Sequence, residues 1–476
     1  MDKYKHLKLF LFILFILNSI IFLFFLPIWE GFDEPSHFAY IQYIAENKHL
    51  PTSKSFVSEQ VGESLSRLPL NQNIAALSTT YADYWKNYQK GDKKKTEINN
   101  SKELRKKEDS KKRMTIYETQ HPPLSYILST PIYSFLANFD FYTVFFGLRF
   151  FNVFLVIVGV YIIYHAIALL TKDDFVKVAS LLFMNFNFMN YYHLIRISNE
   201  SLVFLLYSLI FFSIIKIIQR PNRMGNYVTL GIIYGLGLIT KGFFLSTLPV
   251  LVIFLIYIFA VNKFKLKTVG YASSVLVLIV LVGGWYYARN VLVYGDFTGL
   301  RVREIGFKPN AFDMAKILSF DWIKYYHFLF LNFSSVYGWN MTRPDKIFYD
   351  VYKILFSLPY IGFLIYLMKS IFKKKLFAKI KPQIPIVIVS LMFIFFLLLG
   401  IGYTNYRYSY PQFEILGGWY LLGLLPFIIY LFSLGLRLLI PENKYDFIYL
   451  YLLFILGAYW EMTVYYKYLV PVYYGL

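Results

Sequence analysis

The sequence predicts an all-α membrane protein that crosses the bilayer about eleven times. Hydrophobic residues make up 57% of the 476 residues and charged residues only 16%, and the mean hydropathy is +0.49. Apolar stretches of about 20 residues, the length that a helix needs to cross the hydrocarbon core, recur along the chain. These three observations indicate a polytopic helical fold.

The predicted spans follow one another through short polar loops and two long ones. In chain order we place them at about 7–27, 147–170, 175–193, 200–218, 226–240, 243–261, 269–287, 349–369, 384–402, 413–436 and 446–464. Basic residues then fall in the short loops of one side, as cytoplasmic anchors do. We therefore expect a cytoplasmic N-terminus and an extracytoplasmic C-terminus, in a plasma or inner membrane.

One apolar segment, 124–138, does not fit as a span. A crossing there would put the basic loops at 216–223 and 262–267 on the outer side. The segment is short and follows Pro122-Pro123. We expect a juxtamembrane or re-entrant helix on the outer side.

This topology divides the chain into three parts. Residues 1–290 form a transmembrane module with a first outer loop at 28–146, followed by a second outer loop at 291–348 and C-terminal helices at 349–476. The net charge of +20 does not indicate nucleic-acid binding, because the short-loop charges lie where the positive-inside rule places them. The absence of Cys excludes thiol catalysis and disulfides.

A charged run at 86–113 interrupts the first outer loop. Its composition is typical of a solvated, mobile or loosely helical excursion. The alternative is a surface that gathers an anionic acceptor.

The first candidate site is the Asp33-Glu34 pair, just beyond the first span. On a helix that starts at residue 34, Asp33, His37 and Tyr40 share a face. The simpler interpretation of Asp33 is a helix N-cap, since Asp is a preferred cap and Pro35 suits a first turn. The functional interpretation is a carboxylate base at the water–lipid boundary, where charge costs less than at bilayer depth.

Glu200 supplies a second acid at the same predicted depth. It also fits a simple structural role, since an acid in the first turn of a helix complements the helix dipole. Together, Asp33 and Glu200 suit base catalysis or a divalent cation held between oxygens.

Five basic residues also collect at the predicted outer boundary: Arg149, Arg196, Lys241, Arg289 and Arg407. Each alone fits a snorkelling or paired interfacial residue. As a set on one side, they suit an anionic phosphate headgroup. His121, before Pro122-Pro123, could present an imidazole at the same interface.

The order of these motifs resembles the GT-C superfamily of integral membrane glycosyltransferases. The group in question is related to protein O-mannosyltransferases and to bacterial aminoarabinose and arabinosyl transferases. The segments that carry the resemblance are Asp33-Glu34-Pro35 with His37–Tyr40, Gln120–Leu124, Leu148-Arg149-Phe150, Arg196–Glu200, Leu238–Gly242, Arg289-Asn290 with Tyr294–Asp296, and Arg407-Tyr408 with Pro411.

The resemblance implies transfer of a sugar from a polyprenyl-phosphate-linked donor outside the cytoplasm, usually with inversion. Asp33 would deprotonate the hydroxyl of a glycan, lipid or protein acceptor. Glu200, which replaces the commoner Asp, would assist or help to hold a metal. Lys241, Arg289 and Arg407 would bind the donor phosphate and stabilise the leaving charge.

The remaining expectations attach to the same site. Glu34 joins the catalytic set, Arg149 and Arg196 join the phosphate-binding set, and other pocket residues are His37, Tyr40, His121 and Tyr408. The sequence has no tight cluster of metal ligands, so metal dependence stays open, as do the sugar and the acceptor.

Two other functions compete with this hypothesis. A polysaccharide polymerase or ligase that uses lipid-diphosphate glycans would share the many spans and the arginines but usually lacks the acidic start of the first loop. A flippase for lipid-linked sugars would need polar residues along a mid-membrane path, whereas the predicted spans are almost wholly apolar there.

Overall fold

The computed structural model describes residues 4–70, 79–89, 114–263, 265–299, 313–336, 343–372, 381–409, 417–440, 442 and 445–476. Their regular structure is helical, with two isolated β-bridges, Phe56 to Thr115 and Leu70 to Thr80. Most of the charged run at 86–113, and parts of the second outer loop and of the 413–436 span, lie outside these residues.

The helices are numbered in chain order. They are α1 (Lys5–Phe25), α2 (Glu34–Asn47), α3 (Glu59–Arg67), α4 (Tyr81–Gln89), α5 (Leu124–Leu136), α6 (Phe141–Leu170), α7 (Asp174–Phe186), α8 (Phe188–Ile195), α9 (Glu200–Gln219), α10 (Met224–Leu238), α11 (Phe244–Val261), α12 (Leu266–Tyr294), α13 (Met314–Leu318), α14 (Trp322–Ser334), α15 (Lys346–Phe372), α16 (Ile384–Ser409), α17 (Leu425–Leu439), α18 (Asp446–Thr463) and α19 (Val470–Tyr474).

Among the described residues, nine helical segments are long and apolar enough to cross a membrane. They are Lys5–Phe25, Phe141–Leu170, Glu200–Gln219, Phe244–Val261, Leu266–Tyr294, Lys346–Lys369, Lys381–Arg407, Gly418–Leu439 and Asp446–Tyr474. The prediction of a polytopic all-α membrane protein is confirmed.

The other two predicted spans are also helical but differ in form. The span predicted at 175–193 is broken at Asn187 into α7 and α8, and α10 is a 15-residue apolar helix. The segment predicted not to cross, 124–138, is the 13-residue helix α5.

Ion pairs join several helices at the end of the bundle where α1 begins. Lys8 donates to Asp174 across 2.9 Å. Arg437, at the end of α17, forms two hydrogen bonds to Asp446, of 2.9 and 2.8 Å, and one of 2.6 Å to Asp173. Helices α1, α7 and α18 therefore start at one end of the bundle, and α17 ends there.

The opposite end carries the first outer loop and the last residues of the chain. Tyr474 donates from its hydroxyl to the Phe25 carbonyl across 2.5 Å, and the indole of Trp85 donates to the Tyr473 carbonyl across 3.0 Å. The N-terminal residues of α1 and the C-terminal helix α19 thus lie at opposite ends of the bundle.

The outer loop has a small aromatic core of its own. Trp29 is fully buried in it, edge-on to Phe38 and Phe145 at centroid distances of 5.5 and 5.0 Å. Its indole donates to Ser64 across 3.1 Å. This core fixes α2, α3 and α5 on the outer end of α6 and so positions the loop that carries Asp33.

Helices α15 and α17 approach closely where Gly435 meets the turn of α15 that contains Pro359. A Cβ added to Gly435 would overlap the carbonyl oxygen of Pro359, which lies inside α15. Small residues allow membrane helices to pack at such distances. Gly435 is therefore required for this contact.

We expect Gly435→Ala to push α15 away from α17 and to destabilise the protein by about 1–3 kcal/mol, the usual cost of overpacking. Gly270→Ala is the matched control, because no atom lies within 4 Å of a Cβ there and helical Gly costs about 0.5–1 kcal/mol relative to Ala. Thermal unfolding in detergent should show a lower Tm for Gly435→Ala only. Equal Tm values for the two variants would contradict the close approach.

Candidate active site

Asp33 sits in a strained turn between α1 and α2. Its backbone is left-handed, with φ of 58°, as is that of Trp29, with φ of 69°. A non-glycine residue in this region carries a cost that is often retained at functional positions. Asp33 occupies the N-cap position of α2, but its side chain makes no capping hydrogen bond. The capping interpretation therefore does not account for its carboxylate.

Glu34 and Arg149 form a fully buried ion pair. The guanidinium donates from Nε to Glu34 across 2.8 Å and from Nη2 across 2.7 Å. Its other donors reach the carbonyls of Leu23, Leu26 and Pro27 at 3.2, 2.5 and 2.9 Å. All five guanidinium N–H groups are thereby used. This geometry favours a positioning role over the phosphate-binding role expected for Arg149.

The Glu34 carboxylate is equally committed. Besides Arg149, it accepts from the backbone N–H of Ile197 at 2.9 Å and of Gly31 at 3.2 Å. The pair thus ties the Asp33 turn to the end of α1, to α6 and to the loop before α9. We assign Glu34 to positioning instead of chemistry.

Arg196 lies against the Asp33 turn. It is buried, donates from Nη1 to the Phe32 carbonyl across 2.5 Å and stands over the Phe32 ring at 5.8 Å. Its Nε has no hydrogen-bond partner. A buried guanidinium with an unused donor beside Asp33 suits the predicted anion-binding role.

Lys241 and Glu200 meet in a second buried pair. The ammonium donates to the Glu200 carboxylate, lies 3.4 Å from the Asn199 side-chain oxygen and stands 4.4 Å from the centre of the Tyr420 ring. Glu200 is therefore engaged with a cation. Within the described residues, no group of three His, Asp or Glu side chains is placed to hold a metal ion, so a metal between Asp33 and Glu200 gains no geometric support.

Glu118, which is not among the residues predicted from the sequence, is a buried acid at the centre of this region. Its carboxylate lies 2.9 Å from Nε2 of His121 and 3.8 Å from Nδ1 of His37. The His37 Nδ1 also pairs with the Tyr126 hydroxyl at 2.9 Å. The available signal was the spacing, since an acid three residues before His121 can face the same imidazole.

Electrostatics link Asp33 to this cluster. Burial raises the pKa of Asp33 to about 7, the Glu118 charge adds to the rise, and Arg196, His121 and Lys241 oppose it. Burial also acts to raise the pKa of Glu118, but His121, His37 and Lys241 outweigh it and hold that pKa below its usual value. Glu118 therefore carries the negative charge, and Asp33 exchanges its proton near neutral pH.

His37 is a neutral member of the cluster. Burial lowers its pKa to about 3, so the imidazole is uncharged at neutral pH. Tyr40, predicted in the pocket, is buried and stacks on Tyr126 at 4.0 Å. Both side chains pack against Tyr126.

Two predicted phosphate ligands make no contact with the cluster in the described part of the chain. Arg289 stands near the end of α12, 5.7 Å from the Tyr294 ring, and Arg407 is near the end of α16. No contact within the described residues joins either to Asp33, Arg196 or Lys241. The Tyr408 side chain and Pro411 lie outside the described part of the chain.

An aromatic wall from a distant segment, also missed, completes the site. Trp419 lies 5.3 Å from Phe32 and stacks on His193 at 5.8 Å. His193 is buried, and neither ring nitrogen has a hydrogen-bond partner. The neighbouring Tyr420 receives the Lys241 ammonium. No sequence pattern connects residue 419 with the first loop, so only folding brings them together.

Comparison with known proteins locates this arrangement in a fold. No protein-family model matches the chain, and no curated protein matches it in sequence. Among solved structures, it is similar to the Archaeoglobus fulgidus oligosaccharyltransferase, determined with a tethered acceptor peptide that contains an NVT sequon. The TM-score is 0.51 at 12% identity, over 96% of this chain and 55% of that one.

This chain has the GT-C fold. It spans about half the length of the archaeal enzyme, and the likeness covers nearly all of the present chain. The fold that the sequence motifs indicated is thereby confirmed. Asp33 and its neighbours occupy the loop end of a GT-C bundle.

We expect Arg149→Met to destabilise the protein by about 3–5 kcal/mol, because it leaves a buried carboxylate without its cation. The double variant Arg149→Met/Glu34→Gln should lose less, since the unpaired charge is gone. Unfolding in detergent measures both. Arg67→Met is the control, because its ion pair with Glu63 is a surface pair and such pairs contribute about 0–1 kcal/mol. A loss for Arg149→Met no larger than that of Arg67→Met would reject the anchoring role.

Proposed function

We propose that this protein is a membrane glycosyltransferase that moves a sugar from a polyprenyl-phosphate-linked donor to an acceptor hydroxyl on the extracytoplasmic side, with Asp33 as the general base. The observation that carries the proposal is a carboxylate with a pKa of about 7 beside two buried cations, at the loop end of a GT-C bundle. A base with a pKa near the working pH is the most effective proton acceptor.

The chemistry needs few groups. An acceptor hydroxyl oxygen attacks the anomeric carbon and gives its proton to the Asp33 carboxylate. The bond between that carbon and the phosphate oxygen breaks, and its electron pair stays on the polyprenyl phosphate. The leaving phosphate is already an anion, so it needs cations instead of a proton.

Arg196 and Lys241 are the cations that support this assignment. Both are buried, and buried cations stabilise a developing negative charge more strongly than solvated ones. Glu200 keeps Lys241 charged and in place. Arg289 and Arg407 stay predicted phosphate ligands, which would have to reach the donor from outside the cluster.

His121, Glu118 and His37 form a supporting chain behind Asp33. Burial is the main cause of the raised Asp33 pKa, the negative charge of Glu118 adds to it, and the imidazoles lie against that charge. Tyr40 stacks on Tyr126, whose hydroxyl pairs with His37. No step of the scheme requires a metal ion.

The membrane orientation belongs to the same proposal. The bundle end that carries Lys8 and Arg437 would face the cytoplasm, as the basic short loops predict. Asp33 and the last residues of the chain, which lie at the other end, would face outward, where a glycan, lipid or protein acceptor is available.

We expect Asp33→Asn to reduce transfer by about 10²–10⁴-fold, the usual contribution of a general base. The assay uses a radiolabelled sugar on polyprenyl monophosphate, with a diphosphate-linked glycan as the competing donor. Asp140→Asn is the control, because Asp140 only caps α6, through Thr143. Undiminished transfer by Asp33→Asn would remove the base assignment, and turnover of the diphosphate donor alone would favour the polymerase or ligase hypothesis.

The pH dependence of the transfer rate tests the proposed electrostatic coupling between Glu118 and Asp33. Asp33 works deprotonated, so the rate should rise tenfold per pH unit below about pH 7 and level off above it. Glu118→Gln removes a charge that raises the Asp33 pKa, so the acid limb should move to lower pH. The midpoint of the acid limb should still lie above the pKa of an ordinary Asp, because burial raises the Asp33 pKa more than Glu118 does. Glu63→Gln, on the surface helix α3, should leave the profile unmoved. An unshifted Glu118→Gln profile contradicts the coupling.

A further inference from the structure

A large apolar cleft opens away from the candidate active site, between α7, α15, α17 and α18. Its volume is about 810 Å³, within the 300–1,000 Å³ typical of sites that hold one ligand. Phenylalanine side chains from α7, α15 and α17 line its inner wall, with Trp460 of α18. The proposed glycosyl transfer uses none of these residues.

The cleft opens sideways, toward the membrane. Its rim residues on α15 and α18 are exposed, with Ile347 at 80%, Val351 at 48%, Leu456 at 50% and Tyr459 at 69% of their full accessibility. Both helices belong to membrane-spanning segments. Hydrocarbon is therefore the medium that meets this opening.

Along α15 the lining of the cleft is about as long as one leaflet is deep, and along α17 it continues to Ile440. Its lining on α15 runs from Ile347 to Pro359, a rise of about 18 Å at 1.5 Å per residue. Half of the hydrocarbon core is about 15 Å. A single acyl chain of a phospholipid that enters from the outer end would fill this length.

Charges of both signs stand at the outer mouth. Lys467 and Asp345 line the cleft there and pair with each other, with 57% and 62% of their side chains exposed. Lys467 lies in a π-helical turn, Val464–Leu469, a feature frequent at functional sites. Tyr459, Trp460 and Tyr466 surround this level, as aromatic residues do at the headgroup interface.

We propose that this cleft binds a bilayer phospholipid with a zwitterionic, amine-bearing headgroup. One acyl chain lies along α15, the phosphate pairs with Lys467 and the ammonium with Asp345. An exposed ion pair contributes little to stability. Lys467 and Asp345 can therefore give up their mutual contact and bind the charged groups of the lipid instead. This inference does not depend on the proposed glycosyl transfer.

The experiment compares two tryptophan variants on one helix. Val351 lines the cleft, whereas Ile354, three residues on and 60% exposed, does not. The proteins are taken from nanodiscs of equal phosphatidylethanolamine and phosphatidylglycerol, and native mass spectrometry counts the lipid each retains. Wild type and Ile354→Trp should retain one phospholipid. Val351→Trp should lose about tenfold in retention, the effect of displacing about two methylenes.

Substitutions of Asp345 and Lys467 test the headgroup contacts without changing the apolar lining of the cleft. Wild type should retain phosphatidylethanolamine in preference to phosphatidylglycerol, Asp345→Asn should lose that preference, and Lys467→Gln should retain less of both. Equal retention by Val351→Trp and Ile354→Trp would overturn the cleft assignment. In nanodiscs that also contain polyprenyl phosphate, retention of that lipid in place of phospholipid would overturn the proposed occupant. A lack of headgroup preference in wild type would overturn it as well.

Discussion

The buried ion pair between Arg149 and Glu34 is the constraint on which the outer half of this molecule depends. A charge at this depth persists only when it is paired and hydrogen-bonded, and here every guanidinium donor has an acceptor. The carbonyls left free at the end of α1 are satisfied by the same group. The turn that follows is thereby held in a left-handed conformation, and Asp33 is placed beside Arg196 without using its carboxylate for capping.

As a consequence, the three neighbouring acids of this region have different roles. Glu34 gives its whole hydrogen-bonding capacity to structure, Glu118 holds a charge against two imidazoles, and Asp33 is left with an unfavourable environment for its own charge. Two carboxylates that share a site separate their pKa values in this way. Glu118 therefore stays charged, and Asp33 is the carboxyl group that titrates near neutral pH.

The sequence predicted those features that local physics sets. The length of the apolar stretches predicted the helices, and the parity of the basic loops predicted that α5 does not span. With 13 residues, α5 is one of two shorter apolar helices among the described residues, the other being α10. The candidate residues Asp33, Arg196 and Lys241 were found because each stands at a helix end. Trp419 was missed because its role comes from contacts across long stretches of sequence. Glu118 was missed although its spacing to His121 was a local signal. Arg149 and Glu34 looked functional because charged residues beside an apolar span are typical of functional sites, and a buried structural pair places charges there too.

In the proposed function, the Lys241–Glu200 pair keeps a buried cation available for an anionic substrate. An unpaired ammonium in a buried position would lose its proton or destabilise the fold. Glu200 removes this cost while the site is empty, and the Tyr420 ring covers the cation. In the proposed reaction, a donor phosphate beside Lys241 would meet a cation that is already desolvated and oriented, so little reorganisation would be needed as the leaving group gains charge. For the proposed transfer of a sugar from a phosphate, a buried pair that is neutral for stability would thus be an advantage.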